Sequence, residues 1–139
     1  METPCLIIIQ GLPGSGKTTL AKEISSQFNI PYFEADQYFE DKDGNYNFNP
    51  NYLHNAHTSC QIRTFSRLKA GCSCICSNTF LADKEFKAYF LAAKHYNAKV
   101  FVIKMTTQYG SIHNIPEKIM QRMKNRFNTC TIKPNFEYA

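Results

Sequence analysis

The chain has 139 residues, 43% of them apolar and 19% charged, enough to bury one core and too apolar for a wholly disordered chain. Its net charge of +5 is lopsided: residues 1–50 sum to −4 and residues 51–139 to +9, with no acid between Asp43 and Asp83. The length fits a single domain over 1–139, no run reaches the ~18 apolar residues of a membrane span, and the start lacks the basic n-region of a secretory signal. A cytoplasmic protein with reduced cysteines is expected, and its basic portion suggests either an anionic partner or a solvated face.

Strand-like and helix-like stretches alternate along the chain. The apolar, β-branched run 5–10 (CLIIIQ) predicts a buried strand, and Leu20, Ala21, Ile24 and Phe28 at helical spacing predict a helix over 17–28. Residues 30–36 (IPYFEAD) read as a second strand and 40–49, with Asp-Gly at 43–44, as a loop. Asn49-Pro50 has the form of an N-cap followed by proline, opening a helix that runs to about Ala70 and stops at Gly71. A third strand follows over 72–77, with Cys72, Cys74 and Cys76 alternating on one face as small buried thiols rather than in zinc-type pairs. A helix over 83–96, a strand over 98–105, a polar loop over 106–115 and a last helix over 117–127 complete the pattern. This alternation predicts a three-layer α/β/α core around a mostly parallel sheet of four to five strands.

Residues 11–18, GLPGSGKT, satisfy G-x-x-x-x-G-K-[ST], with a buried strand before them and an amphipathic helix after. Glycines at 11, 14 and 16 let the backbone turn a row of N–H groups toward an anion at a helix N-terminus. Gly14, Ser15, Gly16, Lys17, Thr18 and Thr19 are therefore the expected nucleotide-binding residues. Lys17 reaches the β- and γ-phosphates of ATP, the Thr18 hydroxyl ligates Mg2+, and Thr19 is placed to donate to the α-phosphate. The motif predicts a P-loop NTPase core but leaves open whether phosphate passes to water or to an acceptor.

In an open α/β sheet the reacting groups lie beyond the C-terminal ends of the strands. Asp36 ends the second predicted strand on that rim, where a carboxylate takes the proton of an attacking hydroxyl or orients it, caps the following turn, or stands as an exposed, solvated charge.

The segments GLPGSGKTTLAKEI, EADQYF (34–39), DGNYNFNP and LHNAHTSCQIR (53–63) together resemble the phage-type polynucleotide kinase family. They also resemble the related P-loop ATPase domains of Nedd-binding-protein-like proteins, and the likeness continues through SNTF (77–80) and the HNIP and MKNRF segments. The resemblance implies a nucleoside-kinase-like core that moves the ATP γ-phosphate to a 5′-hydroxyl of DNA or RNA. It makes Lys17 the phosphate-binding lysine, Thr18 the metal-side hydroxyl and Asp36 the general base.

The chain departs from that family in three places. The third strand ends Ser77-Asn78-Thr79-Phe80, without the usual aspartate to support Mg2+ through its water shell. No basic residue stands near Phe39 to hold an acceptor phosphate, and Gly110-Ser111 replaces the lid's Arg-Asn pair. Arg122 and Arg126, four apart on the last helix, share a face and can replace the lid arginine as catalytic cations or form a solvated basic face.

His54 and His57 have metal-compatible spacing but no third ligand in sequence view, so His57 reads as packing near the acceptor groove. Arg63 and Arg67 are candidates for an acceptor backbone phosphate or for surface ion pairs. Among the aromatics at 32–48, Tyr38, Phe39, Tyr46 and Phe48 are candidates for a base-stacking platform. Three functions fit: a polynucleotide 5′-hydroxyl kinase, a small-metabolite or nucleoside kinase, and a catalytically weak ATP-binding regulatory module.

Overall fold

The computed structural model of the protein describes residues 3–107 and 115–138. Its strands are β1 (Cys5–Gln10), β2 (Tyr32–Phe33), β3 (Cys74–Asn78), β4 (Lys99–Met105) and β5 (Phe136–Tyr138). Its helices are α1 (Lys17–Phe28), α2 (Leu53–Lys69), α3 (Asp83–His95) and α4 (Glu117–Thr129). The strands form one sheet in the order β2-β3-β1-β4-β5, with every neighbouring pair parallel. This is the expected α/β P-loop NTPase fold. No helix among the described residues is long and apolar enough to cross a membrane.

The alternation of side chains along β1 explains the layers. Ile9 packs with Ala21 of α1, Ile75 and Met105 on one face of the sheet. Leu6 and Ile8 face the other way, into a core with Ala56, Cys60 and Leu68 of α2 and Phe86, Tyr89 and Ala93 of α3. Each fully buried aliphatic chain contributes roughly 1.5–3 kcal/mol relative to exposure. Gln10 pairs with Asn78 on one side and Lys104 on the other, so the three central strands end level and share one rim.

Helix boundaries follow the sequence signals closely. Asn49 caps a short 3₁₀ helix, Pro50–Tyr52, by accepting from Asn51 N–H at 3.0 Å, and α2 continues from it. Gly71, at φ +77, ends α2 in a left-handed turn, with Gly71 N–H bonded to Leu68 O and Cys72 N–H to Arg67 O, both at 3.0 Å.

The strands depart from expectation in three ways. The predicted strand over 30–36 shrinks to Tyr32–Phe33, because Asn78 Oδ1 captures Ala35 N–H at 2.8 Å and Gln37 Oε1 captures Glu34 N–H at 3.0 Å. Those bonds turn the chain into a 3₁₀ helix, Ala35–Phe39, that carries Asp36. β3 starts at Cys74, so Cys72 lies outside it, partly exposed, while Cys74 and Cys76 are the thiols that fill the core. β5 has no apolar run behind it. Asn135 clamps Val102 through both main-chain groups, receiving Val102 N–H on Oδ1 at 2.7 Å and donating its own N–H to Val102 O at 2.8 Å.

Candidate functional site

β1 runs straight into the Gly-rich loop and α1 leaves it, so the loop sits at the middle of the rim. Ser15 N–H bonds Leu12 O at 3.1 Å, closing a tight turn. Gly16 takes φ +89 at the N-cap of α1, a conformation that glycine adopts without strain. Gly11 is required for space instead: a Cβ there would collide with Ser15 Oγ and meet Met105 Cβ at 2.9 Å. The Ser15 hydroxyl is buried and has no hydrogen-bond partner among the described residues. Backbone cradle, orphaned hydroxyl and helix N-terminus together suit a bound phosphate chain.

Lys17 Nζ donates to Leu12 O at 3.2 Å across the loop. Burial pushes its ammonium below the ordinary value, while Glu34 and then Asp36 pull it back up. The charges of two carboxylates thus act on the loop lysine. Asp36 is exposed and receives the Tyr46 hydroxyl at 3.4 Å. Burial, followed by the charge of Asp36, pushes the Tyr46 phenol up to about 12, so it is a neutral donor at any working pH.

Glu34, only 8% exposed, is the residue that sequence reasoning missed. Its Oε2 accepts from Thr18 Oγ1 at 2.7 Å and from Ser77 Oγ at 3.2 Å. Burial raises its carboxyl, opposed by those two bonds and by the charge of Lys17. A signal was available: Glu34 and Asp36 are two apart, the spacing that sets side chains on one face of an extended segment. The hydroxyls of Thr18 and Ser77 and the carboxylate of Glu34 form a set of hard oxygen donors that suits Mg2+. Among the described residues no group of three or more His, Cys, Asp or Glu side chains is gathered as a metal cage. A magnesium ion that arrives with phosphates and keeps several waters needs no such cage.

The 3₁₀ helix under Asp36 is held from below. Arg63 donates to Gln37 Oε1 at 2.6 Å and to Glu34 O at 3.2 Å, with its guanidinium 5.5 Å from the Phe33 ring centroid. Arg67 donates to Ser73 O at 3.3 Å. Both arginines therefore brace the scaffold, and Arg63 also lines a surface depression. Burial lowers His57 on α2, opposed by the charges of Glu85 and Asp36.

Of the aromatic candidates, Phe39 is buried and packs edge-on against Tyr38, Tyr46 and Phe48, with centroids 5.1–6.2 Å apart, so it is core rather than platform. Tyr38 and Phe48 remain 43% and 50% exposed. Tyr38 divides two surface depressions of about 450 and 440 Å³. The first includes Glu40, Asp41 and Tyr52, the second His54, Thr58 and Arg63.

Arg126 reaches Glu85 Oε2 at 3.6 Å, and Arg122 is exposed one turn earlier on α4. The Gly110-Ser111 position of the expected lid lies outside the described residues.

The comparisons agree with this geometry. A putative kinase from Chloroflexus aurantiacus J-10-fl superposes with a TM-score of 0.64 at 21% identity, over 76% of this chain and 60% of that one. Chaetomium thermophilum Kti12, solved with ADP-AlF3, gives 0.69 at 12% identity over 96% of this chain and 88% of its own. A chain of the Pnkp1/Rnl/Hen1 RNA repair complex gives 0.61 at 18% identity, over 96% of this chain and 41% of that one. The present chain thus spans less than two thirds of two of these neighbours. A family model described as an AAA domain matches residues 6–129, most of the chain. With the phosphate loop at the sheet's central rim, the protein belongs to this AAA-domain family and has a kinase-like P-loop fold.

Proposed function

We propose that the protein is a Mg·ATP-dependent phosphotransferase that moves the γ-phosphate to a hydroxyl, with the 5′-hydroxyl of a DNA or RNA end as acceptor. The observation that carries this reading is Asp36: an exposed carboxylate whose charge acts on Lys17, on a turn braced by Arg63 and Asn78. Likeness to a chain of an RNA repair complex and the resemblance to polynucleotide kinases favour a nucleic-acid acceptor.

Backbone N–H groups of residues 14–19 and the Lys17 ammonium bind and orient the triphosphate. Mg2+, held by Thr18, neutralises charge on the phosphates when bound. The acceptor oxygen attacks the γ-phosphorus in line, the bond to the β–γ bridging oxygen breaks, ADP leaves, and the hydroxyl proton passes to Asp36. Arg126 and Arg122 supply positive charge to the transferring group from α4, and Tyr38 offers its ring face to a terminal base.

Transfer of label from γ-labelled ATP to 5′-OH oligonucleotides tests the reading. Labelling by the native chain and none by Asp36→Asn, which still binds ATP, supports it; no labelling of any DNA or RNA end despite ATP binding overturns it. One observation favours a second reading. The depression beside Tyr38 is lined by Glu40 and Asp41, and Arg63 and Arg67 are committed to the scaffold, so a small uncharged hydroxyl acceptor also suits the site. Salt-independent turnover of such an acceptor favours it, because binding to a polyanion weakens steeply with salt.

A further inference from the structure

We infer that Glu34 is the carboxylate that anchors the water shell of the magnesium bound with ATP, supplied from the β2 side because the end of β3, Ser77-Asn78, carries no acid. The inference rests on the Mg·ATP-binding half of the proposed function and not on the identity of the acceptor.

Three observations converge on Glu34. The first is contact. One carboxylate oxygen joins the loop hydroxyl of Thr18, at 2.7 Å, to the strand-end hydroxyl of Ser77, at 3.2 Å. Ser77 directly precedes Asn78, the last residue of β3, and is 1% exposed, so the carboxylate bonded to it stands beside the end of that strand.

The second is the choice of partners. A buried carboxylate is costly unless paired, and Arg63 lies within reach of this residue. Yet the guanidinium bonds the main-chain oxygen of Glu34 and the side chain of Gln37, which leaves the carboxylate facing Lys17 and Thr18. A charge kept for packing alone would gain more from Arg63 directly.

The third is positioning. Glu34 N–H is held by Gln37 at 3.0 Å, Glu34 O by Arg63 at 3.2 Å, and the next N–H by Asn78 at 2.8 Å. The backbone carrying the carboxylate is therefore fixed on three sides, as a metal-orienting residue requires. Mg2+ retains most of its waters in nucleotide sites and meets one or two carboxylates through them, which matches a single acid beside a threonine hydroxyl.

The amide of Glu34→Gln keeps an oxygen for Thr18 and Ser77 and removes only the charge. A merely structural Glu34 would tolerate this change in its metal dependence. The test is binding of a non-hydrolysable ATP analogue to the full chain, titrated with Mg2+, and with Mn2+ followed by electron paramagnetic resonance, without any acceptor. Expected is a rise of roughly 10–100-fold in the metal concentration giving half-maximal analogue binding, with metal-free analogue binding unchanged or tighter. Moving the acid, in Glu34→Gln with Ser77→Asp, should recover part of the metal dependence. Unaltered metal dependence in Glu34→Gln overturns the inference, as does equal loss of analogue binding with and without metal. Should the native chain bind Mg·ATP through Glu34 and still phosphorylate no acceptor, the phosphotransferase reading alone fails.

Discussion

Asn78 at the end of β3 accepts the N–H of Ala35 at 2.8 Å, and that one bond ties the sheet's rim to the turn bearing Asp36. The same amide donates to the sulfurs of Cys60 and Cys76, each at 3.5 Å, so its orientation is set from the core.

Asn78→Ala leaves a buried N–H unpaired next to the proposed base. A loss of about 1–3 kcal/mol in stability is expected from chemical denaturation. Transfer should fall further than nucleotide affinity, since the turn carries Asp36 and not the phosphate loop.

Lys17→Met removes the loop's only side-chain cation and with it the positive charge that acts on Glu34. Single-turnover measurements with γ-labelled ATP should show a loss of about 10²-fold or more, the scale on which removing one charge-stabilising donor acts.

Gly11→Ala adds a methyl group where Ser15 Oγ and Met105 Cβ already crowd. Overpacking of this kind costs about 1–3 kcal/mol. Calorimetry should show a lowered melting temperature together with weaker ATP binding, because Ser15 belongs to the cradle.

Arg126→Ala separates a catalytic from a structural role. Its pairing with Glu85 is 3.6 Å long and the arginine is half exposed, so stability should change by no more than about 1 kcal/mol. A fall of at least 10-fold in transfer rate with an unchanged melting curve is the expected result.

Burial orders the reactivity of the cysteines. Cys60, Cys74 and Cys76 are fully buried, whereas Cys5, Cys72 and Cys130 are partly exposed. Mass spectrometry after brief alkylation of the native protein should find label on the latter three first, and on the buried three only after unfolding.

Much of this was legible in the residues because local chemistry decided it. The phosphate loop, the Asn49 cap and the Gly71 stop are written within a few positions, and each stands where the motif puts it. The second strand was not legible, because the bonds that end it come from Asn78, 43 residues away, and from a Gln37 side chain folding back. Arg63 and Arg67 look like ligands in a basic stretch and become braces only when α2 packs beside the Asp36 turn and β3. Glu34 went unread because the sequence shows only that the end of β3 lacks an acid; the parallel pairing of β2 with β3 is what brings its carboxylate to Ser77.

The most direct measurement is label transfer from γ-labelled ATP to a 5′-OH oligonucleotide by the native chain and by Asp36→Asn, with ATP affinity measured in parallel. Labelling by the native chain is expected, with a loss of at least about 10²-fold in Asp36→Asn and ATP affinity retained. Native-rate transfer by Asp36→Asn, or ATP binding by the native chain without transfer to any 5′ end, would contradict it.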